Sequence, residues 1–174
     1  VGKTTLKERF MGKVFKTDYI GTIGADIAFV TTTIGQEEIA FQIWDIAGQP
    51  GYETIRHQYY QGSIGSLLVY DVANAQSFEN AKSWLNELWI NTGKGKVPVV
   101  LIANKIDLRK SFPAAITFEQ GQSLARELSS TTEELGFEIP YIETSAKTGE
   151  NVRRAFSVLG KNVINYMQTS LSSS

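Results

Sequence analysis

The sequence predicts an α/β domain in three layers, with a mostly parallel sheet between two layers of helices. Two β-prone segments, 27–34 and 39–45, are separated by Gly35-Gln36-Glu37-Glu38, a pattern typical of an antiparallel hairpin. After the hairpin, short apolar segments alternate with segments of helical periodicity, as in domains built on parallel strands. In such domains the ligand binds beyond the carboxyl ends of the strands.

Three further strands are predicted at 66–70, 97–103 and 141–143. The first two lack a clean alternation of apolar and polar residues. Both of their faces are therefore expected to be covered, as in the middle of a parallel sheet.

Helices are predicted between and after these strands. Apolar residues recur at spacings of three and four within 78–89 and within 152–167. Thr117 and Gln120 have the spacing of a capping box, which predicts a third helix running to about Leu135. The stretch 129–137 predicts one or two extra helical turns. We expect one domain over 1–169, followed by a disordered Ser-rich tail at 170–174.

The composition agrees with one domain and excludes several classes of protein. The chain has 174 residues, of which 42% are hydrophobic, enough for a core. Its 17 Lys and Arg residues against 18 Asp and Glu residues give a net charge of -1. No broad basic face is available to hold a nucleic-acid backbone, so no nucleic-acid partner is expected.

The numbers of cysteine and histidine residues exclude further kinds of site. With no cysteine, disulfides, thiolate metal sites and a C-terminal prenyl anchor are excluded for this sequence. The single histidine, His57, cannot build a His-rich zinc site. The apolar runs fall short of the roughly 18 residues that a membrane span needs. We expect a cytoplasmic protein and leave its association with membranes open.

The first residues carry a phosphate-binding pattern. Val1-Gly2-Lys3-Thr4-Thr5 matches the second half of G-x-x-x-x-G-K-[ST], in which backbone N–H groups cradle phosphate, the Lys contacts the outer phosphates and the next hydroxyl ligates Mg²⁺. Taken alone, four common residues are a weak signal, and an ordinary polar N-terminal segment is the more frequent explanation.

Three more blocks follow the predicted strands in order. Asp45-Ile46-Ala47-Gly48-Gln49 ends the hairpin, Asn104-Lys105-Ile106-Asp107 follows the strand at 97–103, and Ser145-Ala146-Lys147 follows the last strand. Each block could be a turn that merely closes a strand. The carboxylate of Asp107 could accept both N1–H and the N2 amino group of guanine. The four blocks together predict a guanine-nucleotide site.

With these blocks, the sequence resembles the Ras-superfamily small GTPases, and it is most similar to the Rab branch over essentially its whole length. Four segments are close in sequence to that branch, namely 19–27, 59–63, 68–72 and 143–147. The resemblance implies the P-loop NTPase (small G-protein) fold, with a six-stranded, mostly parallel sheet that contains one antiparallel pair. The first strand and the first half of the phosphate loop are missing from this sequence, so we expect a fragment with two unpaired strand edges.

The same resemblance implies a molecular switch that binds GTP or GDP with Mg²⁺, hydrolyses GTP slowly, and acts in intracellular signalling or vesicle-trafficking-type regulation. The implied catalytic residue is Gln49, which would orient the attacking water. The implied metal residues are Thr4, Thr22 and Asp45. The implied nucleotide-binding residues are Gly2, Lys3, Thr4, Thr5, Phe15, Tyr19, Thr22, Gly48, Asn104, Lys105, Asp107, Ser145, Ala146 and Lys147.

Several of these residues have specific implied roles. Lys3 would hold the β- and γ-phosphates, and Asp45 would lie behind a water molecule of the metal. Lys105 would lie over the base, and the Ala146 N–H would donate to the base carbonyl. Phe15 is placed to pack on the guanine edge, with an ordinary core phenylalanine as the alternative.

The resemblance also implies regulators, namely an exchange factor, a GTPase-activating protein and effectors, which would bind through residues about 19–27 and 46–60. Trp44 and Tyr59 match two positions of the Rab aromatic triad, but Ile27 stands where the family has Phe. Recognition of effectors in the Rab manner is therefore an open question. The family also has two switch segments that reorganise when the γ-phosphate leaves. Pro50-Gly51 departs from the family pattern and is expected to alter the flexibility of the second segment.

Two other functions compete with this one. A scaffold could hold nucleotide without useful hydrolysis, and a different P-loop protein could bind ATP. Adenine offers neither N1–H nor an N2 amino group, so Asp107 argues against ATP. Gln49 and Thr22 favour hydrolysis over a passive scaffold, which needs neither.

Overall fold

The computed structural model describes residues 1–15, 22–48, 51 and 53–172. In these ranges the strands are β1 (Ala25–Ile34), β2 (Glu37–Ile46), β3 (Ser66–Asp71), β4 (Val99–Asn104) and β5 (Tyr141–Glu143). The helices are α1 (Lys3–Phe10), α2 (Glu53–Tyr60), α3 (Ala75–Glu79), α4 (Ala81–Asn91), α5 (Phe118–Ser130) and α6 (Val152–Ser172). Two 3-10 turns cover Ile106–Leu108 and Glu133–Leu135.

The predicted hairpin is confirmed and is longer than predicted. β1 and β2 pair antiparallel, from Ala25 opposite Ile46 to Ile34 opposite Glu37. The turn is Gly35-Gln36, with Gly35 at a φ of 66°, where a residue without a side chain fits best. Glu37 and Glu38 belong to the ladder because cross-strand pairing outweighs their low β propensity.

The parallel part of the sheet has the order β3-β4-β5. Ser66 pairs with Val99, and Leu101 pairs with Tyr141. All six residues of β4 are buried, as predicted for a central strand with both faces covered. β4 begins at Val99, after Pro98, whose carbonyl accepts a hydrogen bond from the Ser66 N–H.

Two apolar clusters lie on opposite faces of the sheet and confirm the three layers. Val99, Leu101 and Ala103 of β4 belong to the cluster that includes residues of α4 and α5. Val100 and Ile102 belong to the other cluster, which includes residues of α1 and α6. The alternation follows from the two-residue period of a strand.

The sheet, in which we expected two unpaired strand edges, is present as two ladders. Within the described part of the chain, no ladder joins β2 to β3. A cavity of about 670 Å³ separates them, lined by Ile43 of β2, Leu67 and Val69 of β3, Leu6 of α1 and Leu159 of α6. The unpaired edges that we expected therefore face this cavity.

The helices agree with the predicted periodicity but differ at their ends. The capping box is confirmed, because the Thr117 N–H donates to Gln120 Oε1 at 2.9 Å and the Gln120 N–H donates to Thr117 Oγ1 at 3.2 Å. The helix ends at Ser130, and the predicted extra turn is the separate 3-10 turn that precedes Gly136.

Two other boundaries correct the sequence analysis. The periodic segment 78–89 is divided at Asn80 between α3 and α4. α6 continues through Ser172, three residues beyond the predicted end of the domain at 169. Among the helices that the structure describes, none is both long enough and apolar enough to cross a bilayer.

Candidate functional site

The predicted phosphate segment lies at the beginning of α1. Gly2 precedes this helix in a left-handed conformation with a φ of 88°. A Cβ at Gly2 would lie 2.6 Å from Asn104 Nδ2, so the close approach of the two segments requires glycine. The first N–H groups of a helix have no partners within the helix and attract anions.

A cleft of about 440 Å³ brings together the residues predicted for the phosphates and the metal. Its lining includes Gly2, Lys3, Thr4, Thr22, Asp45 and Gly48. Thr4 Oγ1 and Thr22 Oγ1 are hydrogen-bonded at 2.8 Å although 18 residues separate them in the sequence. The two predicted metal ligands are therefore neighbours.

Lys3 and Gly48 belong to different segments of the chain and both line this cleft. A Cβ built on Gly48 would be 3.3 Å from Lys3 Nζ, so the absence of a side chain allows the ammonium to approach the backbone closely. Burial lowers the pKa of Lys3, the Asp45 carboxylate raises it, and the Arg56 guanidinium lowers it. A phosphate group bound here would favour the charged form of Lys3.

Asp45, near the end of β2, has a buried carboxylate with one unsatisfied oxygen. Oδ2 lies 3.4 Å from Lys7 Nζ, whereas Oδ1 has no hydrogen-bond partner among the described residues. An unpartnered buried oxygen costs about 1–3 kcal/mol unless a ligand or water satisfies it. Together with the hydroxyls of Thr4 and Thr22, it forms an oxygen-rich set that fits Mg²⁺.

Asn104 connects three segments at the carboxyl end of β4. Its Oδ1 accepts hydrogen bonds from the Ala146 N–H and from Thr144 Oγ1, both at 3.1 Å, and its Nδ2 donates to the Val1 carbonyl at 3.0 Å. The predicted base-binding loops are thus joined to the phosphate segment. A base carbonyl that binds the Ala146 N–H has to share it with Asn104 or replace Asn104.

Asp107 lies in the 3-10 turn after β4, where Ser145 orients it. Ser145 Oγ donates to Asp107 Oδ1 at 2.6 Å, and the same Oγ accepts from the Thr148 N–H at 3.1 Å. Both hydrogen bonds satisfy Ser145 within the protein. Its role in this structure is therefore to fix the carboxylate that we predicted to recognise guanine.

The two predicted lysines near the base loops have different partners. Lys105 adopts a left-handed conformation with a φ of 66°, uncommon for a residue with a side chain, and its Nζ lies 2.6 Å from Asp71 Oδ2. Lys147 is exposed, and its carbonyl accepts a hydrogen bond from Arg9 Nη2 at 3.2 Å.

The remaining predicted residues have varied positions. Thr5 lies in the first turn of α1, next to Thr4. Phe15 is 37% exposed, which argues against an ordinary core position for its ring. Gln49 and Tyr19 lie outside the described residues, as does Pro50.

The predicted partner surface contains three neighbouring apolar side chains. Ile27 lies directly opposite Trp44 in the hairpin, and the rings of Trp44 and Tyr59 are 5.1 Å apart between centroids. The structure therefore brings the three triad positions together.

His57 is exposed on α2, and Trp89 is a buried packing residue whose Nε1 donates to the Val97 carbonyl at 3.1 Å.

Three residues near the site were not predicted from the sequence. Lys7 contacts Asp45, Asp71 pairs with Lys105, and Thr144 holds Asn104. A signal existed for Lys7, which lies in α1 between the apolar residues Leu6 and Phe10, where a lysine is rarely buried without a partner.

Comparisons with known proteins show the family of the chain. The Ras family model matches residues 1–165. Ras-related protein RIC1 of Oryza sativa subsp. japonica is 38% identical over 167 residues, which is 96% of this chain and 77% of that protein. Ras-related protein Rab-13 of Rattus norvegicus is 38% identical over 164 residues, covering 94% of this chain and 75% of its own.

A third relative covers the whole chain. Ras-related protein Rab-8B of Homo sapiens is 34% identical over 174 residues, or 100% of this chain and 78% of its own length. The family match, over residues 1–165, includes the hairpin, the phosphate segment and the base loops. The chain therefore belongs to the Ras family of small GTPases and is Rab-like.

Proposed function

We propose that this protein is a switch that binds GTP or GDP with Mg²⁺ and hydrolyses GTP slowly to GDP and phosphate. The observation that carries the proposal is the meeting of Thr4 and Thr22 in the cleft that Lys3, Asp45 and Gly48 also line. The fold itself does not require a hydroxyl of the phosphate segment to contact a hydroxyl of a distant loop. Joint binding of a metal ion and a triphosphate explains the contact.

At the phosphate end, the N-terminus of α1 and the Lys3 ammonium bind the phosphate oxygens. The hydroxyls of Thr4 and Thr22 hold the metal. Asp45 Oδ1, which has no partner among the described residues, accepts a hydrogen bond from a water molecule beside the metal. The Mg²⁺ ion supplies positive charge that offsets the charge of the phosphates. Gly48 leaves room for its own N–H to face the terminal phosphate.

At the base end, the Asp107 carboxylate accepts N1–H and the N2 amino group of guanine. Ser145 fixes one oxygen of this carboxylate, and Asn104 holds the loop that contains Ala146. Lys105 covers one face of the base, and Phe15 packs on its edge. Charge-assisted hydrogen bonds of this kind are about twice as strong as neutral ones, so Asp107 is the main source of specificity.

For hydrolysis, Gln49 orients the attacking water in line with the γ-phosphate, because an amide can both accept and donate. A single-turnover assay tests this role: the purified protein is loaded with GTP, free nucleotide is removed, and bound GDP is measured over time. Slow conversion supports a GTPase. Retention of intact GTP supports the scaffold instead, and preferential loading with ATP contradicts both.

The switch is expected to act on partners through residues about 19–27 and 46–60. The proposed partners are an exchange factor, a GTPase-activating protein and effectors. Trp44 lies between these two segments in the sequence and is beside Ile27 of the first and Tyr59 of the second, so its fluorescence tests the proposal. The emission should differ between protein loaded with GDP and protein loaded with a non-hydrolysable GTP analogue, and Trp44→Phe should remove the difference.

A further inference from the structure

The register of the hairpin places two acidic residues directly opposite each other. Asp26 of β1 pairs with Asp45 of β2, so both side chains are on one face of the ladder, with Cβ atoms about 5 Å apart. Like charges in this arrangement destabilise a strand pair. Burial strengthens the repulsion, because 2% of the Asp45 side chain is exposed, against 64% for Asp26.

The ammonium group of Lys7 joins these two carboxylates. It forms an ion pair with Asp26 Oδ2 and lies 3.4 Å from Asp45 Oδ2, and 5% of the Lys7 side chain is exposed. Lys7 follows Lys3 by one helical turn, so both ammonium groups lie on one side of α1. Relief of the repulsion between Asp26 and Asp45 accounts for a lysine at this buried position.

The three residues belong to the segments that carry the proposed metal site. Lys7 lies three residues after Thr4, and Asp26 lies four residues after Thr22. At the same end of the hairpin, the Ala47 N–H donates to the Gly24 carbonyl at 2.8 Å. Separation of Asp26 from Asp45 would strain this end of the ladder and move Thr22 away from Thr4.

We propose that Lys7 is a positioning residue whose ammonium group, by bridging Asp26 and Asp45, keeps Thr22 beside Thr4 when little Mg²⁺ is present. The inference rests on the proposed function and extends it, because it assigns part of the charge compensation at Asp45 to the protein itself. A bound metal ion adds positive charge in the same region. Without Lys7, the arrangement of the site depends on that ion much more strongly.

The test is the release of fluorescent GDP in excess Mg²⁺ and after removal of Mg²⁺ with EDTA. The readout is the rate of release after EDTA divided by the rate in excess Mg²⁺. Lys7→Met should raise this ratio about tenfold, because two repelling carboxylates are left without their shared cation. Asp26→Asn in the Lys7→Met background should bring the ratio back toward that of the wild-type protein, because one of the repelling charges is gone.

The control is Lys82→Met, which removes the same charge from an exposed ion pair with Glu127 and should leave the ratio unchanged. A purely structural loss would speed release equally in both conditions. An unchanged ratio in Lys7→Met therefore overturns the proposal. A ratio that stays raised when Asp26→Asn is added to Lys7→Met also overturns it.

If Lys7→Met does not fold, the double variant decides the question. A folded double variant with a ratio close to that of Asp26→Asn supports the role of Lys7, and a double variant that stays unfolded overturns it. Failure of the proposed function has a different signature, because the wild-type protein would then bind no fluorescent GDP in either condition.

Discussion

Ser145 Oγ donates a hydrogen bond to Asp107 Oδ1 at 2.6 Å and thereby joins two loops that are 38 residues apart in the sequence. The hydroxyl has a second partner in the Thr148 N–H, which holds its direction. The Asp107 carboxylate thus has a fixed orientation in the protein before any base binds. Such preorganisation lowers the entropic cost of binding.

Ser145→Ala should weaken the binding of GDP and GTP alike while the preference for guanine is kept. The loss is expected to be about 1.5 kcal/mol, or about tenfold in affinity, because Asp107 loses one charge-assisted hydrogen bond. Titration with fluorescent GDP measures it. Ser130→Ala is the matched control, since that hydroxyl donates to the Glu127 carbonyl on an exposed helix end. Equal affinities for both variants would argue against the orienting role of Ser145.

Asp107→Asn should shift the base preference from guanine toward xanthine, because the amide can donate to the carbonyl that xanthine has in place of the guanine amino group. Binding of GTP should weaken by about 3 kcal/mol or more, since donors face donors in a buried contact. Competition between GDP and XDP for the purified variant measures the shift. An unchanged preference for guanine would place base recognition elsewhere.

Thr4→Asn should weaken the binding of GTP more than the binding of GDP. The hydroxyl of Thr4 meets that of Thr22 in the cleft, and the pair is most needed when the γ-phosphate is present. Affinities for GDP and for a non-hydrolysable GTP analogue, both measured with Mg²⁺, give the ratio. Removal of Mg²⁺ should abolish the difference between the variant and the wild-type protein. A variant with the wild-type ratio would contradict the role of Thr4 as a metal ligand.

Gln49→Leu should leave nucleotide affinity nearly unchanged and slow hydrolysis, because leucine fills a similar volume but cannot hydrogen-bond to water. The single-turnover rate measures the effect. An arginine supplied by a GTPase-activating protein adds about 10³ to 10⁵ in rate among GTPases, and the variant should gain little from it. Rapid hydrolysis without a partner, unaffected by Gln49→Leu, would indicate a different mechanism.

The sequence by itself determined the elements whose contacts are local or repetitive. The capping box of Thr117 and Gln120 is satisfied within one turn, and the apolar run of β4 needs no knowledge of its neighbours to predict burial. The four nucleotide blocks were also recognisable, because each is contiguous and directly follows or precedes a regular element.

The tertiary structure decided what depends on contacts between distant segments. It placed Thr22 beside Thr4, directed the Ala146 N–H to Asn104, and put Lys7 between Asp26 and Asp45. It also determined the size and the lining of the cavity between β2 and β3, whose facing edges were expected to be unpaired. The physical reason is that strand register and helix packing determine which side chains meet. Neither is encoded in the spacing of residues along a single segment.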